Sequence, residues 1–139
     1  MINPSAVIES SLPKTTTVWR WTHISPRVKL GEDCMIGANV YIGPGVQIGH
    51  RVRIQNNCFI PEGTVIGDDV FIGPAVTITN DKYPPSDVIS PVIIEDNVVI
   101  GGGCTIVAGV LIRSKCKIGA GVTVAQDCSP YLNGEGWIK

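Results

Sequence analysis

An aliphatic residue recurs at every sixth position from Val18 through Ile24, Leu30, Ile36, Ile42, Ile48, Ile54, Ile60, Ile66 and Ile72 to Ile78. The same beat returns at Ile94, Ile100, Ile106, Ile112, Ile118 and Val124. Two places before each stands a small or branched residue such as Val28, Cys34, Val40, Cys58, Thr64 or Cys104. Residues two apart on an extended segment share a face, so each unit of six sends two side chains inward and then turns a corner. A helix cannot keep this period, because its apolar stripe repeats near 3.6. Hexapeptide repeats of this kind predict a parallel β-helix, with three units forming one triangular coil of 18 residues.

The step from Ile78 to Ile94 is sixteen, one normal step of six plus an insertion of ten. The insertion leaves one corner, between the second and third faces, and predicts an extruded loop near residues 79–91. The expected organisation is a single domain over residues 1–139. Within it come an irregular first coil (1–17), repeats at 18–78 and 92–128 around the loop, and a short tail (129–139) that partly caps the end. The predicted class is all-β, about six coils of 18 residues.

Composition agrees with many short strands and tight corners: 44% hydrophobic and 6% aromatic residues, with 16 Gly and 10 Pro. A formal net charge of -1 gives no basic surplus for nucleic acid or an anionic membrane. The N-terminus lacks a signal-peptide pattern, and no apolar run approaches the roughly 20 residues of a membrane span. The expectation is a cytoplasmic protein. Five cysteines without a CxxC pair suit neither a disulfide framework nor zinc. Cys34, Cys58, Cys104 and Cys116 take the inward small position and Cys128 continues that count, so they read as core.

Several stretches carry candidate chemistry. The repeat, with Val18-Trp19-Arg20-Trp21-Thr22-His23-Ile24, Ile54-Gln55-Asn56-Asn57, and Val70-Phe71-Ile72-Gly73-Pro74 leading into Thr79-Asn80-Asp81-Lys82-Tyr83-Pro84, resembles the hexapeptide-repeat acyltransferases. It looks most like those that N-acetylate nucleotide-linked 3-amino sugars. Arg20 and Pro85 depart from that group's pattern, as does the tail. The resemblance implies a left-handed helix, although the general crossover rule favours the right hand. It further implies a cytoplasmic homotrimer with sites between subunits, acetyl-CoA as co-substrate, a small-molecule acceptor, no metal, and a role in surface polysaccharide synthesis. Alternatives are an O-acetyltransferase acting on a hydroxyl, or a non-catalytic β-helix assembly module. With two histidines, the three-His metal site of the γ-class carbonic anhydrases cannot be built in the usual way.

The resemblance places Asn80 as an orienting partner and Asp81 as acceptor or base for the amine, where the bland reading is a turn before Pro84-Pro85. His23 faces outward, as proton relay or simply as a surface residue, and His50 reads as surface. Candidate substrate-binding residues are Trp19, Arg20, Gln55, Asn57, Lys82 and Tyr83. The outward indoles suit either subunit packing or stacking on a nucleotide base, and the polar residues suit either a ligand or the coils themselves. For coenzyme A, the small residues Gly102, Ala108, Gly109 and Ala120 permit close approach, and Arg113, Lys115 and Lys117 read as one outward basic stripe for phosphates or a solvated face. Gly101-Gly102-Gly103 is no nucleotide fingerprint, since no helix follows.

Overall fold

A computed structural model describes residues 1–130 and 136–139. Among the described residues every named element is a strand of two residues, and there is no helix. The first face holds β2 (Thr17–Val18), β5 (Met35–Ile36), β8 (Arg53–Ile54), β11 (Phe71–Ile72), β14 (Val99–Ile100) and β17 (Lys117–Ile118). The second holds β1 (Val7–Ile8), β3 (His23–Ile24), β6 (Tyr41–Ile42), β9 (Phe59–Ile60), β12 (Thr77–Ile78), β15 (Thr105–Ile106) and β18 (Thr123–Val124). The third holds β4 (Lys29–Leu30), β7 (Gln47–Ile48), β10 (Val65–Ile66), β13 (Ile93–Ile94) and β16 (Leu111–Ile112). All pairings are parallel, as in Met35 with Arg53 and Ile36 with Ile54. The result is a single-stranded parallel β-helix, consistent with the left-handed winding that the resemblance implies.

The second face has seven rungs, so the solenoid runs to about seven turns where six were expected. The extra turn comes from residues 1–17. Ile2 bridges to Val18 and Val7–Ile8 pairs with His23–Ile24, each sixteen positions on. The first coil is therefore stacked but two residues short. The far end is also irregular: Cys128 bridges to Ile112, again sixteen away, and Ile138 bridges to Ile118. Cys128 thus stands in an aliphatic register position and not in the small one. Residues 136–139 cover the end of the first face, with Ile138 N–H donating to Lys117 O at 2.8 Å and Gly119 N–H to Ile138 O at 2.7 Å. Tyr131–Glu135, the rest of the expected cap, lie outside the described residues.

The period of six produces the core directly. Twelve isoleucines are fully buried, from Ile24 to Ile118, each worth about 1.5–3 kcal/mol of transfer free energy. All five cysteines are free and buried. Cys34, Cys58 and Cys104 donate to the carbonyls of Gly49, Gly73 and Gly119 at 3.0–3.1 Å.

The corners follow a second rule. Among the described residues fifteen have positive φ, and each stands three places after an inward aliphatic. Asn, Asp or Gly occupy most of these places, as the left-handed region favours, but Trp21, Arg27, Arg51, Ala75 and Lys115 do so as well. Corner side chains also stack. At the corner between the third and first faces, Glu32 N–H donates to His50 Nδ1 (2.8 Å), His50 N–H to Asp68 Oδ1 (2.7 Å) and Asp68 N–H to Asp96 Oδ1 (2.7 Å). His50 is exposed yet built into the fold. Beside it Arg51 grips Asp69 with two bonds of 2.8 and 3.0 Å, and that guanidinium holds the Asp69 carboxyl below the usual carboxylate range.

Candidate functional site at the loop root

The corner after Ile78 is replaced by the loop, which joins β12 on the second face to β13 on the third. Its neck is closed by Ser90 N–H donating to Asn80 O at 2.7 Å. From below, Thr79 N–H donates to Ile106 O (3.0 Å), and the Thr79 hydroxyl donates to the same carbonyl (3.1 Å) while accepting from Ala108 N–H (3.0 Å). Gly109 N–H donates to Ser90 O at 2.9 Å. From above, the Asn80 side-chain amide donates to Glu62 O at 3.1 Å. The loop root is thus tied to the rungs on both sides.

Inside the loop, the Asp81 carboxylate accepts from the Ser86 hydroxyl (2.7 Å) and from Ser86 N–H (2.8 Å). These bonds, the hydroxyl's first, hold its carboxyl below the usual carboxylate range. Lys82 lies 5.7 Å from the ring centre of Tyr83, which is exposed. Lys82, Tyr83, Ser86, Val88 and Ser90 line a cavity of about 250 Å³.

Three of the expected substrate residues meet elsewhere. Trp19, Arg20 and Gln55 line a groove of about 270 Å³ with Met35, Ala38 and Asn56. This groove lies at the corner between the first and second faces, on the early coils. Arg20 sits over the Trp21 ring at 5.6 Å. Asn57 is a corner residue, φ 66°, and its side-chain oxygen accepts from Asn39 at 2.9 Å.

His23 is on the second face, paired through Nε2 with Glu9. Between it and the rung of Thr77 lie Tyr41 and Phe59, so three rungs, roughly 14 Å, separate it from the loop root. Within one chain His23 does not meet Asn80 and Asp81.

The residues expected to hold coenzyme A are spread over three corners and one face beyond the loop. Ala108 and Gly109 lie directly against the loop root. Gly102 and Ala120 stack at the corner between the first and second faces, where Gly121 N–H donates to Gly102 O at 2.9 Å. Arg113, Lys115 and Lys117 do not form one stripe. Lys115 has φ 69° and turns the chain, leaving Arg113 before the corner and Lys117 on the first face, 5.9 Å from the Trp137 ring.

The sequence reading missed Ser86 and Ser90, which hold the loop shut, and Glu9, Tyr41 and Phe59. A spacing signal existed for the aromatics: His23, Tyr41 and Phe59 are eighteen apart, one full coil, and form a column.

Residues 27–62 and 45–80 match the model for the bacterial transferase hexapeptide (six repeats), and residues 91–126 match that for the hexapeptide repeat of succinyl-transferase. The two matches cover more than half of the chain. The chain belongs to the hexapeptide-repeat acyltransferase family. Among solved structures similar to this family member is PerB from Caulobacter crescentus, in complex with CoA and GDP-perosamine. The similarity there is 25% identity and a TM-score of 0.68, over 91% of this chain and 48% of PerB. A His-to-Asn mutant of perosamine N-acetyltransferase from C. crescentus, with the same ligands, gives 25% identity and a TM-score of 0.55 over 91% of this chain and 48% of that one. A hexapeptide-repeat-containing acetyltransferase from Vibrio cholerae, complexed with acetyl coenzyme A, gives 27% and 0.53, over 68% of this chain and 62% of that one. The chain spans about half the length of PerB. A comparison with curated protein sequences gave no match.

Proposed function

We propose that the protein is an acetyl-CoA-dependent N-acetyltransferase acting on a nucleotide-linked amino sugar, in the cytoplasm, for surface polysaccharide synthesis. The carrying observation is the loop root: Thr79-Asn80-Asp81 is clamped between rungs in a chain similar over 91% of its length to PerB, whose structure holds CoA and GDP-perosamine.

The reaction needs the acceptor amine held against the thioester carbonyl. The amine nitrogen forms the new C–N bond, the C–S bond breaks, and the amine proton leaves to an acceptor while the thiolate is released. Positioning carries most of such a rate. Asn80 orients the acceptor, and Asp81, ionised through the neutral range, accepts from its ammonium or amine. An aspartate carboxylate is a weak base, which suits an amine nucleophile better than a hydroxyl that needs a strong one. The pantetheine arm runs past Gly102, Ala108, Gly109 and Ala120, and its phosphates take Arg113, Lys115 and Lys117. Trp19, Arg20, Gln55, Asn57, Lys82 and Tyr83 hold the nucleotide sugar. The groove and His23 join the loop only if one subunit's loop packs against a neighbour's early coils, and a homotrimer with sites between subunits is the arrangement we propose.

The test is thiol release from acetyl-CoA with a panel of nucleotide-linked amino sugars. Turnover is expected with at least one, and Asn80→Ala should lower kcat/KM by about 100-fold. Silence across the panel, or a stable monomer in sedimentation, would sink the reading.

A further inference from the structure

The outward column of the second face changes character at one rung. From the N-terminal side it runs Val7, His23, Tyr41, Phe59, and then Thr77, Thr105, Thr123. The upper half is a rigid stack. His23, held by Glu9, meets Tyr41 edge-on at 5.5 Å, and Tyr41 lies nearly parallel to Phe59, 12° apart in plane with centroids at 5.2 Å. Tyr41 covers one face of the Phe59 ring. Phe59 is nonetheless 43% exposed, and the uncovered face looks onto the rung of Thr77, where a small side chain succeeds a large one. Below the shelf, no hydroxyl of Thr77, Thr105 or Thr123 has a hydrogen-bond partner among the described residues. The Thr22, Thr64 and Thr79 hydroxyls, in contrast, all donate to backbone carbonyls. Thr77 is two residues from Thr79 and three from Asn80, so this step in the column opens beside the loop root.

We propose that Phe59, Thr77 and Thr105 form a shelf for the pyranose ring of the acceptor, an inference that rests on the function proposed above. A pyranose has an apolar C–H face that packs on an aromatic ring, and hydroxyls around its rim that need partners. The shelf offers one phenyl face above and unspent hydroxyls at rung spacing below. A flat nucleobase would call for a second ring on its other side, and threonines stand there. The stack above Phe59 fixes its ring before the ligand arrives, so little ordering is left for binding. Phe59 and Thr77 are therefore specificity-determining residues for the sugar, separate from the groove at Trp19.

Two readouts test this on the full chain. In steady-state transfer, Phe59→Leu should raise the acceptor KM about tenfold and Thr77→Val about fivefold, with the KM for acetyl-CoA unchanged. In methyl NMR, the Thr77 and Thr105 signals should shift on addition of a nucleotide-linked amino sugar, and stay in place with the matching nucleoside diphosphate alone or with coenzyme A. Transfer that proceeds with an unaltered acceptor KM in both variants overturns the shelf and leaves the proposed function standing. Sugar-dependent methyl shifts without any turnover support the shelf and overturn the proposed reaction. Shifts with the nucleoside diphosphate or coenzyme A alone, or no shift with any sugar ligand, overturn the shelf.

Discussion

Gly101, Gly102 and Gly103 are adjacent and chemically identical, yet alanine should meet a different obstacle at each of them. A Cβ on Gly101 would lie 2.5 Å from Ala120 N and 2.8 Å from both Ala120 Cα and Gly119 C, all backbone of the next coil. Ordinary contact needs 3.4 Å or more, so the rungs must part by roughly 1 Å, which removes well-formed hydrogen bonds. Two are at risk, Gly101 N–H to Ile118 O at 2.8 Å and Gly121 N–H to Gly102 O at 2.9 Å. Overpacking and two weakened bonds together set the cost of Gly101→Ala at about 3–4 kcal/mol. Gly103 has open space around its Cβ but φ +71°. Its alanine loses about 1–2 kcal/mol to left-handed strain and recovers about 0.4–1 from the stiffer unfolded chain, leaving a net loss of about 1 kcal/mol. At Gly102 the nearest atoms are Pro74 O, Cδ and Cγ at 3.2–3.3 Å, a contact that yields by tenths of an ångström, so Gly102→Ala should cost less than about 1 kcal/mol. Urea unfolding at one protein concentration measures all three. With a slope near 2 kcal/mol/M, the midpoint should fall by about 1.5–2 M for Gly101→Ala and by about 0.5 M or less for the others. Equal losses at 101 and 103, or a tolerated Gly101→Ala, would refute the steric account.

Two further outcomes follow from single side chains. Thr16 Oγ1 is buried with no hydrogen-bond partner among the described residues. Thr16→Val should therefore raise stability by about 1 kcal/mol in thermal unfolding, and a fall would show that the hydroxyl has a role. The Asp81 carboxyl is held below its ordinary value in the folded protein by Ser86. Its contribution to loop order is thus complete above the usual carboxylate range and is lost as pH falls through the depressed value. Hydrogen exchange at Ser86 N–H should show protection persisting into mild acid and then disappearing. Asp81→Asn should remove that step, and a wild-type loop that opens within the ordinary carboxylate range would count against the latch.

The solenoid was legible because one rule, an inward aliphatic every sixth residue, maps onto one rung, and Ile36, Ile54 and Ile72 obey it without exception. The loop's corner followed from counting. The corner conformations were only half visible: Asn39, Asn57 and Gly63 announce a left-handed residue, but Trp21, Arg51 and Lys115 adopt it against their own preference, because the stacked coils on either side fix the backbone. That turn at Lys115 is why an alternating sequence of cations did not become a stripe. The end coils hid the seventh turn for a related reason. Their sixteen-residue spacing breaks the beat in sequence but not the stacking in space. At the loop, the family resemblance pointed to Asn80 and Asp81, but their partners Glu62 and Ser86 are set by tertiary closure, which no spacing encodes.

The rungs on either side of the loop remain in perfect parallel register, Val65 opposite Ile93 and Ile66 opposite Ile94, although 28 residues separate them where 18 is the rule. The solenoid therefore has no memory of what was spliced into it. Since the neck closes on itself through Asn80 and Ser90, the length between them is a nearly free variable: doubling it costs only about 0.6 kcal/mol in closure entropy. The molecule separates into a fixed ruler and an exchangeable attachment, and the length and content of the attachment can drift while every rung of the ruler stays where it was.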